Sequence, residues 1–384
     1  MNKSRNAVFY LLALTGLWSP CHAEIPHEGH EFDYLAFVSP GRSALCSALR
    51  DIPLGEDVGL IRSVADVEIQ GVREPYHASM VAEGSGYLML FRYDLDAPTE
   101  SVSFRSSIPP SSKGAPFRTF IGLVRLDKNF KQVSQVKTLD TGSDFSEDPR
   151  LFRVGDDIFF SYTDLENHFI YIRGMRVARL DPQTLELDFV TNIDQQISFI
   201  DRTAHMDKNW VPFVRQEDGE EKIYFGYSIN PHKVMKMKDL YSSELDHPLY
   251  DPRVSYQKIA WDEKALGTLR GSTPALLIDH QYVAFFHTLF YDEHQIAWYA
   301  MGAYTFEANP PFRVTSVSPY PILCKKSYSS FLDPMKRGCY PAGIVYEQRN
   351  GEEVFQVSCG IGGHKVAVVT FSKRNLLKSM KKVL

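Results

Sequence analysis

The sequence of 384 residues has little cysteine and no strong excess of charge of either sign. Its 42 basic and 47 acidic residues are mixed along the chain and leave a net charge of −5, so nothing indicates binding to nucleic acid or to an anionic membrane. The five cysteines match no zinc-ligand spacing, and no metal site or cofactor is predicted. No low-complexity linker divides the chain into separate domains.

An apolar stretch at residues 7–17 follows two basic residues, Lys3 and Arg5. Small residues precede position 24, as in a signal peptide that is cleaved after Ala23. The apolar stretch is too short to span a bilayer. Residues 1–23 are therefore predicted to be a signal peptide and the protein to be secreted or periplasmic. The alternative is an uncleaved anchor.

Removal of the signal peptide would leave four cysteines, which permits two disulfides in three possible pairings in an exported chain. Free buried thiols are the other interpretation, and the sequence leaves both open. The residues concerned are Cys46, Cys324, Cys339 and Cys359.

Five segments of the chain share one plan. A polar or Pro-containing entrance leads into a short apolar strand, a Gly/Asp/Asn turn and an aromatic-rich strand, and the entrances recur roughly every 60–70 residues. The pattern favours β-strands over helical repeats, and each unit exceeds the ~40–50 residues of a typical propeller blade, as four-stranded blades with long loops would. The paired strands lie at 77–81 with 87–91, 148–152 with 158–162, 209–213 with 223–227, 272–276 with 282–286, and 340–344 with 354–357.

The predicted fold class is all-β, with residues 24–384 forming a single five-bladed β-propeller whose blades are entered near residues 77, 148, 209, 272 and 340. A tandem of β-sandwiches explains the spacing less well, because each unit is too short to build its own core. The basic stretch after residue 372 predicts a capped C-terminal helix.

In a propeller the innermost strands start at one mouth of a central channel, so equivalent positions in the repeats converge. The predicted constellation at the entrances is His77, Asp148, Arg150, Lys208, Asn209, Arg270, Thr273 and Tyr340. The far ends of the hairpins add Arg92, Asp94, Tyr162, Asp164, Tyr227, His232 and His287.

This mixture of planar polar groups and aromatic rings is typical of sugar recognition. Asp148 is the best candidate for a proton-donating acid, because Arg150 and strand amides would hold it in place. Inverting hydrolysis also needs a base on the opposite side of the sugar, and Glu147 is too close in sequence to serve.

Lys208, Asn209, His232 and Arg270 together predict an anion pocket. Inorganic phosphate bound there as a co-substrate would be a nucleophile that requires no second carboxylate. The alternative is that Arg150, Lys208 and Arg270 only neutralise acids in the channel.

Short motifs in a fixed order resemble those of glycoside hydrolase family 130, the β-mannoside phosphorylases with related β-1,2-mannosidases and mannosyltransferases. The resemblance covers roughly residues 60–370. Its motifs are His77-Ala78-Ser79-Met80, Phe91-Arg92-Tyr93-Asp94, Glu147-Asp148-Pro149-Arg150, Ser161-Tyr162-Thr163-Asp164, Asp207-Lys208-Asn209-Trp210, Arg270-Gly271-Ser272-Thr273-Pro274, Phe286-His287 and Gly302-Ala303-Tyr304.

The resemblance implies a five-bladed propeller with Asp148 as proton donor, acting through a sugar hydroxyl. It also implies phosphate binding by Lys208, Asn209, Arg270 and His287. The chain departs from the family in three places. His77 stands where Asn is common, His232 follows a strand that usually ends in Arg, and no sugar-contacting Asp accompanies Gly362.

The function predicted is that of an exported enzyme acting by inversion on an oligosaccharide or glycoconjugate that contains a β-mannoside. Phosphorolysis, hydrolysis and transfer from a nucleotide sugar compete as reactions, and a non-catalytic glycan-binding propeller is the alternative. Sugar contacts are assigned to His77, Arg92, Asp94, Arg150, Tyr162 and Tyr304, and anion contacts to Lys208, Asn209, His232, Arg270 and His287.

Overall fold

Antiparallel hairpins make up most of the fold. A computed structural model describes residues 46–94, 118–167, 172–181, 183–193, 209–240, 246, 257–292, 296–328 and 336–384. In these ranges, helix is limited to α1 (Glu263–Leu266), α2 (Lys373–Ser379) and a 3-10 turn at Lys325–Tyr328. The all-β prediction and the predicted C-terminal helix are confirmed.

Three separate sheets are formed by residues 76–236. Each is an antiparallel meander, so neighbouring strands in the sheet are also neighbours along the chain. The first contains β2 (Tyr76–Glu83), β3 (Gly86–Asp94), β4 (Thr119–Leu126) and β5 (Lys137–Thr138); the second β6 (Ser146–Val154), β7 (Asp157–Asn167), β8 (Ile172–Leu180) and β9 (Leu187–Asn192); and the third β10 (Val211–Glu217), β11 (Glu220–Ile229) and β12 (His232–Lys236).

The rest of the strands belong to one ten-stranded sheet. It consists of two antiparallel parts, joined where residues 297–299 of β16 run parallel to residues 336–338 of β18. The first part is β13 (Arg270–Gly271), β14 (Leu276–Ile278), β15 (Gln281–Tyr291), β16 (Ala297–Glu307), β17 (Val314–Val317) and β21 (Lys381–Lys382); the second is β18 (Lys336–Arg349), β19 (Glu352–Ile361), β20 (Lys365–Ser372) and β1 (Ile61–Val67).

All five predicted hairpins are present. Apolar residues that alternate or run continuously in the sequence become paired strands whose side chains are buried between sheets. The register in each hairpin is shown by one pair: Met80 with Met89, Phe152 with Phe159, Phe213 with Tyr224, Leu276 with Val283, and Ile344 with Val357.

A layer of buried apolar side chains separates each hairpin unit from the next. Leu90 and Phe160 belong to the layer between the first two sheets, and further layers follow between the second and third sheets, the third sheet and β15–β16, and β15–β16 and β18–β20. The last layer contains Met89 of β3 and Val368 of β20. The final unit therefore packs on the first.

The five hairpins also share one cavity of about 370 Å³. Its lining takes residues from all five first strands or the segments that lead into them, including Ala82, Leu151, Val214, Pro274 and Val345. These residues lie beyond the entrances, towards the turn end of each hairpin.

Close backbone contact between neighbouring hairpins requires glycine at two positions near the entrances. A Cβ on Gly343 would overlap the backbone nitrogen of Met80, and one on Gly271 would overlap the carbonyl oxygen of Asn209. Glycine lets the first strands approach this closely.

Segments from both ends of the described chain complete the ten-stranded sheet. β1 pairs with β20 along its length, and β21 pairs with β17. None of the described helices is long and apolar enough to cross a membrane. The predicted signal peptide lies outside the described residues.

All four cysteines of the described chain are buried thiols that form no disulfide. Cys324, Cys339 and Cys359 belong to one apolar layer, but Cys359 is paired in the sheet with Pro341 and not with Cys339. Of the two interpretations that the sequence left open, the structure has the free thiols.

We expect the full chain carrying Cys21→Ser to yield four thiols when it is denatured without reductant and titrated with a thiol reagent. The native protein should react far more slowly, because burial keeps the thiols from reagent. A sample that has been reduced and desalted before denaturation provides the control. A titre of two or none would mean that disulfides form.

Candidate active site

Three of the five first strands carry a β-bulge near their entrance. At each bulge the pairing with the second strand shifts by one residue, which re-aims the side chains on either side. The shifts lie between Tyr76 and Ser79, between Glu147 and Arg150, and between Pro341 and Gly343.

Two of these bulges hold a non-glycine residue in the left-handed region. His77 has φ 53° and Asp148 has φ 55°, a conformation that costs an L-residue about 1–3 kcal/mol and is concentrated at functional sites. Consecutive strand residues normally point to opposite faces. At the second bulge, Glu147 and Asp148 instead reach the same partner.

That partner is the guanidinium of Arg92, on β3 of the preceding sheet. Its Nη1 donates to Asp148 Oδ1 at 3.2 Å and its Nη2 donates to Glu147 Oε1 at 2.8 Å, while Nε donates to Thr119 Oγ1 at 2.8 Å. Asp148 is only 2% exposed. One cation therefore fixes both carboxylates.

The surroundings of Arg92 keep it charged. Burial acts to lower the pKa of its guanidinium, but the negative charge of Glu147, Asp148 and Asp94 raises this pKa well above the usual value. The ring of Tyr76 lies 5.1 Å from the guanidinium carbon, and its hydroxyl donates to Asp94 Oδ1 at 3.0 Å. Burial raises the pKa of Tyr76 well above its usual value, so the phenol stays a hydrogen-bond donor.

His77 approaches the same carboxylate from β2. Its Nε2 lies 3.5 Å from Asp148 Oδ1. The imidazole ring packs against Tyr340, with centroids 3.6 Å apart. Asp148 is therefore flanked by a guanidinium and an imidazole.

Behind Asp148, the buried side chain of Arg150 connects four of the five entrances. Its Nε donates to the Ser272 carbonyl at 2.6 Å and its Nη1 to the Asp148 carbonyl at 3.0 Å. Its Nη2 donates to Asn209 Oδ1 and to the Tyr340 hydroxyl, both at 3.2 Å. The side chain uses four of its five N–H donors and is 1% exposed. The prediction that Arg150 contacts sugar is therefore corrected: it holds the entrances together.

His287 is buried in the site and contacts Ser272 and Tyr340. Its Nδ1 and the Ser272 hydroxyl are 2.6 Å apart, and its ring lies 4.1 Å from that of Tyr340. Burial, followed by the nearby charges of Arg270 and Arg150, lowers the pKa of His287 well below its usual value. It can offer an N–H donor to an anion but not a positive charge.

Arg270 is a further cation near His287. It pairs with His287 across the sheet and is partly exposed, and its guanidinium makes no ion pair with another described residue. Burial raises the pKa of Tyr299 to about 12; Asp148 adds to this shift and Arg270 opposes it, which places the three in one neighbourhood.

The structure thus brings most of the predicted residues together, and their roles in binding stay predictions. Asp94 joins them through Tyr76. We refer to the group as the entrance cluster: His77, Arg92, Glu147, Asp148, Arg150, Asn209, Arg270, His287 and Tyr340.

Three residues predicted to bind substrate or phosphate lie in apolar layers instead. Tyr162 packs against Phe160 between the first two sheets and is 1% exposed. Tyr304 is fully buried beside the third sheet. Their burial contradicts both predictions, because each ring packs among apolar side chains between sheets.

His232 belongs to the same apolar layer as Tyr304. Its ring packs 4.7 Å from that of Phe306, and Nδ1 lies 2.6 Å from the Phe312 carbonyl. Burial lowers its pKa to about 4, so it is neutral at pH 7 and its assignment to the anion pocket is corrected. Lys208 lies outside the described residues, and Asn209 is occupied by Arg150 and Tyr340.

Sequence reasoning missed some members of the site. Glu147 was excluded as the base because of its closeness to Asp148, and its position agrees with that exclusion; what was missed is that it shares Arg92 with Asp148. Tyr76 carried a usable signal, since it directly precedes the first entrance. No sequence signal pointed to Tyr299, because it lies on β16, which is not one of the two strands of the repeated hairpin.

No protein-family model matches the sequence, and no curated protein matches it. Solved structures do share its fold. A β-1,2-mannobiose phosphorylase from Listeria innocua, in complex with β-1,2-mannobiose, is 12% identical with a TM-score of 0.55, over 84% of this chain and 97% of that one. A mannose phosphorylase from Leishmania mexicana, in complex with phosphate ion, is 13% identical with a TM-score of 0.51, over 85% and 93%.

A third structure comes from work on the mannoside phosphorylases of glycoside hydrolase family 130, described as containing glycoside hydrolases that target β-1,2 mannosidic linkages in Candida mannan. It is 14% identical with a TM-score of 0.51, over 79% of this chain and 85% of that one. The solved structures that share the fold thus include members of the family that the motifs resemble. At this identity the likeness establishes the fold.

Replacing Arg150 by Met should lower the free energy of unfolding by about 3–5 kcal/mol, because two carbonyls and the Asn209–Tyr340 pair lose a buried charged donor. Chemical denaturation measures the change. Arg153→Met is the matched control: it lies on the same strand with its guanidinium at the surface and should cost less than about 1 kcal/mol. Equal losses in the two variants would contradict the role given to Arg150.

Proposed function

We propose that this protein is a carbohydrate-active enzyme that cleaves β-mannosides by inversion, with Asp148 as proton donor and inorganic phosphate as the attacking group. The observation that carries the proposal is the placement of Asp148. It is buried against Arg92 where the first strands of five hairpins begin, in a fold shared with mannoside phosphorylases.

The architecture we propose is a five-bladed β-propeller. Five apolar layers follow one another round the chain, and the last joins β20 to β3. The cavity lined by all five units fits the central channel of such a fold. The ten-stranded sheet would then be two blades linked by the short parallel pairing.

In the proposed reaction the glycosidic C–O bond breaks and its electron pair stays on the leaving oxygen, which receives the proton of the Asp148 carboxyl. A phosphate oxygen bonds to the anomeric carbon from the opposite face. A β-mannoside therefore gives α-mannose 1-phosphate and a shortened sugar. Arg92 and the bulge hold Asp148 in place throughout.

Two observations favour phosphate over water. Inverting hydrolysis needs a second carboxylate about 6.5–9.5 Å away, across the sugar from the acid. The other carboxylates near Asp148 in the described chain, Glu147 and Asp94, both belong to the surroundings of Arg92. Arg270, unpaired with any described acid, supplies a cation for an anionic nucleophile.

Hydrolysis is the second candidate, supported by the corrected anion pocket. His232 is a neutral core residue and His287 is neutral as well. Among the described residues assigned to phosphate, only Arg270 is then a cation. The predicted signal peptide also fits hydrolysis, because we propose that the protein acts outside the cytoplasm.

The proposal is tested by incubating the full chain with β-1,2-mannobiose, with and without phosphate, and following the products by NMR. We expect α-mannose 1-phosphate and mannose to form only with phosphate. Equal release of mannose without phosphate would establish hydrolysis instead. Binding of the disaccharide without turnover would favour the glycan-binding alternative.

Asp148→Asn should lower turnover by about 10²–10⁴-fold, the usual contribution of a general acid. Asp156→Asn, in the turn of the same hairpin, is the matched control and should retain turnover. Unchanged turnover in Asp148→Asn would remove Asp148 from the mechanism.

A further inference from the structure

A titratable side chain beside the candidate acid gives the site a feature that the proposed reaction does not use. His77 Nε2 is 3.5 Å from Asp148 Oδ1, and both side chains are largely buried, with 13% and 3% of their surface exposed. Catalytic contacts are often this long without substrate and tighten in the bound complex. A modest rotation of either side chain would bring the two groups into hydrogen-bond contact.

The backbone at residue 77 directs the imidazole towards the candidate acid. Among non-glycine residues the left-handed conformation is commonest for Asn, Asp and His, and His77 adopts it with φ 53°. Its ring is then wedged against Tyr340 and aimed at the carboxylate.

We propose that His77 and Asp148 form a proton-sharing pair in which His77 supplies the proton that Asp148 donates during turnover. This rests on the proposed function. The pair holds one proton, which rests on the His77 imidazolium; during turnover this proton passes to the Asp148 carboxylate and from there to the glycosidic oxygen, and His77 becomes neutral. Solvent then restores the proton of His77. The proton lost by the attacking phosphate balances the one that solvent supplies.

The charged and titratable neighbours of His77 support this direction of transfer. The pair lies between a fixed cation and an aromatic ring, so the carboxylate is stabilised as the anion and the proton of the pair is held on the imidazole. The neighbours are Tyr76 on its own strand, Arg92 on β3, Glu147 and Asp148 on β6, His287 on β15, and Tyr340 on β18.

The pair predicts a specific pH dependence of turnover. With the proton held on an imidazole, activity should persist up to the range in which histidine titrates, about pH 6.5, and fall above it. With an isolated carboxyl beside Arg92, activity should already fall near pH 4. His77→Asn should therefore move the alkaline limb of the kcat/KM profile down by about 2.5 pH units, with a loss of about 80-fold at pH 6 and only about twofold at pH 4.

The matched control is His280→Asn. His280 also has a left-handed φ, 69°, but lies in the turn between β14 and β15. Its replacement by Asn therefore makes the same chemical change at the same backbone conformation, but outside the site. Its profile should equal that of the wild type. An unchanged profile in His77→Asn, or a loss of equal size at every pH, would overturn the proposal.

A second measurement needs no turnover. The titration of the His77 ring is followed by NMR in the wild type and in Asp148→Asn, with the signal assigned by its absence in His77→Asn. We expect the ring to lose its proton at lower pH once the carboxylate is gone, because an anionic partner favours the imidazolium. Identical titrations would overturn the pair. If no mannoside is cleaved by the wild type, the proposed function fails while this comparison still decides whether the pair exists.

Discussion

The site depends on one buried guanidinium. Arg150 donates to groups from three other entrances and to the backbone of its own, so hairpins far apart in sequence are held at a fixed distance. A buried cation is costly unless each donor finds an acceptor, and here carbonyls, an amide and a phenol supply them. The position of Asp148 follows from this network. Arg150 donates a hydrogen bond to the Asp148 backbone carbonyl, and the bulge directs the Asp148 carboxylate towards Arg92.

The electrostatics of the site divide into a charged half and a neutral half. Around Asp148, Arg92 is balanced by Glu147 and by Asp94. Around His287, burial removes charge from the imidazole and leaves Arg270 to attract anions. The proposed pairing of a neutral sugar with phosphate would place the sugar at the half around Asp148 and the phosphate at the half around Arg270.

The hairpins could be predicted from the sequence because their signal is local. Short apolar runs, turn residues and regular spacing specify which strands pair, and the convergence of the entrances follows from repetition. The direction in which individual side chains point could not be predicted. Tyr304 and His232 resemble ligands in sequence, but the aromatic layer formed with Phe306 takes their rings. The positive φ of Asp148 carries no signal in its neighbours, so the shared contact of Glu147 and Asp148 with Arg92 could not be predicted.

The pairing of β1 with β20 sets the order of events in folding. Ser63 and Thr370, which are 307 residues apart, meet across these strands, and contacts so distant form slowly. The sheet that contains the first described strand cannot be completed before residue 382 has been synthesised, because β21 belongs to it. A chain built in this way stays incompletely folded until its last strands have emerged.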